Sequence, residues 1–224
     1  VSPSRVADWN NPAVLLRRFW ANRVEEAPHP DTCVVALRTL CQRIVVTKRM
    51  AVSAKELTLS AAELAALREL RGRGILRSSS LRAGDNVNED EVRFTHHLLH
   101  DYAIAKVLIP ETPDAFCQYT TRNPLLPVFY RQSFLFALEE LWDADEGREI
   151  FWKTALAMEG LVQMHALARI LAPLLAARRV EHLADLAVLL EAIQPNGDAD
   201  TPTIKALGHL ASGADDAAAA QIQA

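Results

Sequence analysis

Val92-Arg93-Phe94-Thr95-His96-His97-Leu98-Leu99-His100-Asp101-Tyr102-Ala103-Ile104-Ala105 is the stretch that decides the fold of this 224-residue chain. It sets three histidines, an aspartate and a tyrosine at the start of an apolar helix. Just before it, Gly74-Ile75-Leu76-Arg77 and Glu91-Val92-Arg93-Phe94 flank a polar tip containing Gly84-Asp85-Asn86, the pattern of a β-hairpin with a long loop. Further upstream stand two hydroxyl–carboxylate pairs three residues apart, Ser53 with Glu56 and Ser60 with Glu63, which read as capping boxes. The second opens a helix over Ala61–Arg71, with Leu64, Leu67 and Leu70 inward and Gly72 and Gly74 ending it. Earlier still, Asp31 or Thr32 starts a helix whose Val34, Leu37, Cys41, Ile44 and Val45 recur at helical spacing. Helix, short helix, helix, hairpin is the order of a winged helix, here over residues 29–110.

Outside that span the helix signals continue. Asn11-Pro12 is an N-cap with proline at the first helical position, followed by Val14, Leu15, Leu16, Phe19 and Trp20. Ala27-Pro28-His29-Pro30 breaks the pattern and sets a boundary after residue 28. From Thr112 onward only helices are expected. Thr112-Pro113-Asp114 opens one, and Asn123-Pro124 opens another carrying Phe129, Phe134, Leu135, Leu138 and Leu141 to Trp142. Others run over Gly147–Gly160, Leu161–Arg178 and Val180–Ile193, and Thr201-Pro202 starts the last. Short connections imply antiparallel neighbours, so residues 111–224 read as a helical bundle or a solenoid-like array. Ala211–Ala224 carries no cap and reads as truncated or frayed, and Glu139, Glu140, Asp143, Asp145 and Glu146 read as a solvated acidic face. The fold class is therefore mainly all-α, with one small hairpin.

Composition narrows the function. Half of the residues are apolar, enough to bury one large or two small cores. The net charge of −4 argues against a dedicated nucleic-acid or anionic-membrane binder. DNA binding, the usual work of winged helices, is also opposed by an acidic wing of Asp85, Glu89, Asp90 and Glu91, which repels phosphates. Cys33, Cys41 and Cys117 lack CxxC spacing and read as buried, reduced thiols of a cytoplasmic protein. No apolar run reaches transmembrane length, and the N-terminus lacks the pattern of a signal peptide. The first residue is Val1 rather than Met, so further segments carrying the chemistry are expected upstream.

Phe94, His96, Asp101, Tyr102 and Ala105, following a hairpin, form a Phe-x-His-x-x-x-x-acid-aromatic-x-x-Ala pattern. It resembles the end of the winged-helix domain in NACHT-type STAND ATPases. Asn11-Pro12-Ala13-Val14-Leu15-Leu16 similarly resembles the Asn-Pro-Leu-x-Leu segment of the helical domain just upstream in that family, so residues 1–28 become the end of an ATPase helical domain. The resemblance spans Ser4 to Ile109. It implies that His96 contacts the β-phosphate of bound ADP and locks a resting state, while Pro12 packs on the adenine. It also implies ATP or ADP as cofactor, an ATPase module as the first partner, a protein ligand or trigger acting through the helical region, and homo-oligomerisation on activation. The chain departs from the family in lacking any G-x-x-x-x-G-K-[ST] phosphate loop or Walker B strand, so no ATPase activity and no catalytic residue is expected of it alone.

A helical wheel sets Phe94, Leu98, Tyr102, Ala105 and Ile109 toward the winged-helix core. His96, His100, Ala103 and Val107 gather opposite, and His97 falls on a different side from His96. By residue type alone His96 is either an ordinary interface histidine or a phosphate contact. Two other functions compete with the switch. One is a stand-alone helical interaction scaffold. The other is a metal phosphohydrolase, since His100-Asp101 resembles the His-Asp dipeptide of HD-type enzymes and His96 and His100 stand at i, i+4. The latter lacks an evident third ligand, so no metal is expected.

Overall fold

A computed structural model describes residues 12–79, 91–193 and 200–222, with side chains to residue 215. The chain is mainly helical with one small antiparallel sheet, and it divides into two compact units, 1–108 and 109–224. The boundary expected after residue 28 separates no unit. Among the described residues no helix is long and apolar enough to cross a membrane.

In the first unit, α1 (Pro12–Trp20) runs into a π-helical turn, Ala21–Glu25. Asn11, its expected cap, lies outside the described residues. Trp20 and Val24 are buried, and Trp20 meets Tyr102 edge to face at 5.8 Å. That contact anchors the first helix to the winged helix. Helix α2 (Pro30–Thr47) begins one residue before the expected Asp31, because Pro30 needs no intrahelical N–H partner at the first position. It buries Cys33, Ala36, Leu37, Leu40, Cys41 and Ile44.

Ala51–Ser53 is a strand, β1, too short to show alternation, and it converts the expected hairpin into a three-stranded sheet. Ser53 does cap the next turn by accepting from the Lys55 N–H at 3.3 Å, but that turn is a single 3-10 turn, Ala54–Glu56. Glu56 does not complete the box. Its carboxylate is taken by Arg43 at 2.9 Å and by Arg49. The box at Ser60 and Glu63 does close in both directions and opens α3 (Ala61–Gly72). Ala66, Leu67 and Leu70 are buried there, whereas Leu64 stays exposed on the outer side. Gly74 takes φ +77°, a conformation that suits glycine, and turns the chain into β2 (Leu76–Ser79).

Strand β3 (Glu91–Phe94) lies between β1 and β2, antiparallel to both. This helix–strand–turn–helix–strand–strand order, with the first and last strands adjacent, is winged-helix topology. The wing tip with Gly84, Asp85 and Asn86 lies outside the described residues. Helix α4 (His97–Leu108) closes the unit against α2 and α1, and Arg38 of α2 donates to the Val107 carbonyl at 3.0 Å.

The second unit contains α5 (Pro113–Arg122), α6 (Leu126–Phe129), α7 (Arg131–Asp143), α8 (Glu149–Gly160), α9 (Ala166–Arg179), α10 (Ala187–Glu191) and α11 (Thr201–Ile222). Helix α8 is flanked by α5, α7, α9, α10 and α11. A solenoid repeat would touch only its neighbours, so this is a bundle around α8. Phe151 and Trp152 of α8 pack edge to face on Trp142 of α7.

Three expected helices differ. The one from Asn123 breaks at Tyr130, leaving α6 and α7. The one from Leu161 starts at Ala166, where His165 accepts from the Leu167 N–H at 3.2 Å. Residues 180–193 hold a 3-10 turn and the short α10, because Asp185 accepts from the Glu181 and His182 N–H groups and so closes a turn there. The acidic run is structural as well as solvated. Asp143 pairs with Arg179 at 2.6 Å, and the Asp145 carboxylate accepts from the Glu149 and Ile150 N–H groups at the start of α8. Residues 211–222, expected to fray, continue α11, which Asp200 caps by accepting from the Thr203 N–H at 2.8 Å.

Candidate functional site

Strand pairing builds the site. Val92 and Phe94 alternate into the core, so Arg93 between them faces out. On β2 the core residue is Leu76, opposite Phe94, and Arg77 stands directly opposite Arg93. The two arginines thereby occupy paired positions on the same side of the sheet. Like charges at paired positions destabilise a sheet, and among the described residues neither arginine has an ion-pair partner. The Arg93 Nε is fully buried and has no hydrogen-bond acceptor among the described residues.

The turn from β3 into α4 is held by Thr95. Its N–H donates to the Ile75 carbonyl at 3.0 Å and its hydroxyl to the Gly74 carbonyl at 2.7 Å. This places His96 just before the helix, where its Nδ1 accepts from the Leu98 N–H at 3.3 Å. An accepting Nδ1 carries no proton, so the ring's hydrogen resides on Nε2 as a donor. His96 and His97 are both exposed, and their rings stack at 4.5 Å with an interplanar angle of 28°.

His100 differs from both. It is 2% exposed, packs edge to face on Phe94 at 5.6 Å, and has Nδ1 at 3.1 Å from the Asp101 carboxylate. The wheel therefore fails at the histidines. His96 precedes the helix rather than lying on it, His97 stands beside it rather than away from it, and Phe94 belongs to β3. Tyr102 and Ala105 are buried as expected, but Leu98 is only half-buried. Among the described residues no group of three His, Cys, Asp or Glu side chains is placed to hold a metal ion.

Arg77, Arg93, His96, His97 and His100 line one pocket of about 270 Å³, closed by Met50, Phe94 and Thr95. Among the described residues no carboxylate lines it. Such a donor set is complementary to a compact oxyanion: guanidinium forks bind two oxygens each and imidazole N–H groups add directional bonds. Pro12, the other residue given a ligand role by the resemblance, is exposed at the start of α1 and does not line this pocket. The two arginines were not legible as a site in the sequence. Arg93 shows as an outward residue between Val92 and Phe94, and Arg77 only as a charged residue after Leu76, and their pairing depends on a register set across the intervening loop.

No protein-family model, curated protein or solved structure matches this chain.

Proposed function

We propose that this chain is the winged-helix and sensor-proximal part of a STAND-type signalling ATPase of the NACHT kind, in which His96 reads the phosphate of bound ADP. The observation that carries the reading is the position of His96: between β3 and α4, exposed, with Nε2–H as its donor, on the rim of a cation-lined pocket. The donors present fit a phosphate group. They include nothing suited to an adenine, so the part played by Pro12 rests on the resemblance alone.

The chain contains no phosphate loop. It would therefore act with a P-loop module that binds ATP or ADP and performs hydrolysis, and its own part would be conformational rather than catalytic. With ADP in place, the winged helix docks and His96 donates to a phosphate oxygen. When the nucleotide changes, that contact is lost and the docked state loses its advantage. The helical unit would couple the switch to a protein trigger and to self-assembly in the cytoplasm. Val162, Leu183 and Ile204, exposed at 90%, 78% and 58%, supply apolar surface for such contacts. The same side chains favour the second reading, a helical interaction scaffold.

The test is assembly of the polypeptide that joins this chain to its ATPase module. A hydrogen bond to a charged phosphate is worth about 1.5–3 kcal/mol, so His96→Ala should raise the open population about ten- to a hundredfold. Light scattering should then show oligomers without a trigger. Resting monomers unchanged by the substitution would remove the sensor reading and leave the scaffold.

A further inference from the structure

We infer that Arg77 and Arg93 form a phosphoryl-binding site belonging to the winged helix itself, able to take a dianionic phosphate group without any help from an ATPase module. The inference rests on the phosphate-reading function above but concerns other residues, and it is carried by a different observation. Two guanidinium groups occupy paired positions on adjacent strands, where their repulsion costs stability, and among the described residues no ion pair offsets it. The buried Arg93 Nε lacks an acceptor among the described residues. A bound oxyanion would supply both the missing acceptor and the missing charge.

The chemistry of the ligand follows from the donors. Two adjacent cations favour charge −2 over −1, hence a terminal phosphate over a carboxylate. Two planar forks match a tetrahedral group that offers several oxygens. His96 and His97 at the rim extend the donor set toward a second phosphate, so pyrophosphate should bind more tightly than phosphate. A nucleic-acid backbone fits less well. The sequence joining the two strands is acidic, with Asp85, Glu89, Asp90 and Glu91, and Arg73, just after α3, is already engaged by Glu69 at 3.0 Å and by the Asn22 and Glu26 carbonyls.

Calorimetry on the full 224-residue chain tests this with pyrophosphate, inorganic phosphate, acetate and a DNA duplex as probes, alongside thermal unfolding. The expected order is pyrophosphate over phosphate, with acetate and duplex negligible. Arg77→Gln or Arg93→Gln should weaken pyrophosphate binding about ten- to a hundredfold, the loss of one charge-assisted contact. Without ligand, the same variants should melt at a higher temperature than the parent, because the like-charge pair is relieved. Pyrophosphate should stabilise the parent and not the variants. Arg77→Lys keeps the charge but loses the fork, so it should keep the parent's melting temperature and still bind weakly. Lower melting temperatures for the glutamine variants together with unchanged pyrophosphate affinity would overturn the inference, as would acetate or duplex binding as tightly as pyrophosphate. If the arginine variants lose pyrophosphate while His96→Ala assembles normally, this site stands and the sensor function falls. The converse removes the arginines and leaves His96 in place.

Discussion

Cysteine shows how strongly position sets the chemistry of a single side chain here. Cys33, Cys41 and Cys117 are all buried and free. Burial pushes each thiol up, most strongly at Cys41, and the Asp114 charge adds to burial at Cys117, taking it to about 11. The thiolate is the nucleophile, so none should react with iodoacetamide at neutral pH while the chain is folded. Mass spectrometry should find three alkylated thiols only after denaturation; rapid labelling of the native chain would contradict the packing. The thiols' burial was readable from their spacing among apolar residues. The pairing of Arg77 with Arg93 was not, because a residue's neighbour across a sheet is fixed by strand register and not by local pattern. His100 shows the same limit: its sequence neighbours His96 and His97 are exposed, and the change from strand to helix at Thr95 turns His100 alone inward.

Elements in the bundle are tied down at their ends. Arg148, at φ +54°, donates to Asp185 at 3.1 Å and to the Trp142 and Asp145 carbonyls, while its guanidinium lies over the Trp142 ring at 5.1 Å. Trp152 donates to the Asp185 carbonyl at 2.6 Å. Burial by itself would raise the Asp185 carboxyl, but the Glu181 and His182 N–H groups and Arg148 outweigh it and hold it below the usual range. Its contribution is therefore present above about pH 4, the ordinary aspartate value, and lost as pH falls through the lower folded value. Chemical denaturation at pH 7 should find Asp185→Asn less stable by about 1.5–3 kcal/mol, the scale of hydrogen bonds to a charged group. The difference should shrink toward pH 3, and a constant difference would contradict the assignment. The two glycines of α11 offer a paired test. Gly208 is exposed with nothing near a prospective Cβ, so Gly208→Ala should stabilise by about 0.5–1 kcal/mol. At Gly213 a Cβ would lie 2.9 Å from the Ala177 Cβ and 2.8 Å from Leu174, so Gly213→Ala should destabilise by about 1–3 kcal/mol. Equal effects at the two sites would show that α9 and α11 are not in close contact. Helix positions were largely legible from caps and spacing. Strand β1, the 3-10 turns and the break at Tyr130 were not, because three- to five-residue elements owe their form to tertiary partners.

At the scale of the whole molecule, one unit is a winged helix and the other a bundle centred on α8. The order of the winged helix was legible because its caps and glycines punctuate the chain, and its sheet was legible only as two of three strands. The pocket emerges only when the strand register and the start of α4 are combined, so the sequence pattern singles out His96 as a candidate but not the two arginines that line the same pocket. The central claim, that this winged helix holds a nucleotide's phosphate and so keeps a signalling ATPase at rest, is tested most directly by the nucleotide carried through purification. The polypeptide joining this chain to its P-loop module, isolated without added nucleotide and denatured, should release close to one ADP per chain, and the His96→Ala variant far less. A wild-type protein free of ADP, or a variant that retains as much as the wild type, would contradict the account.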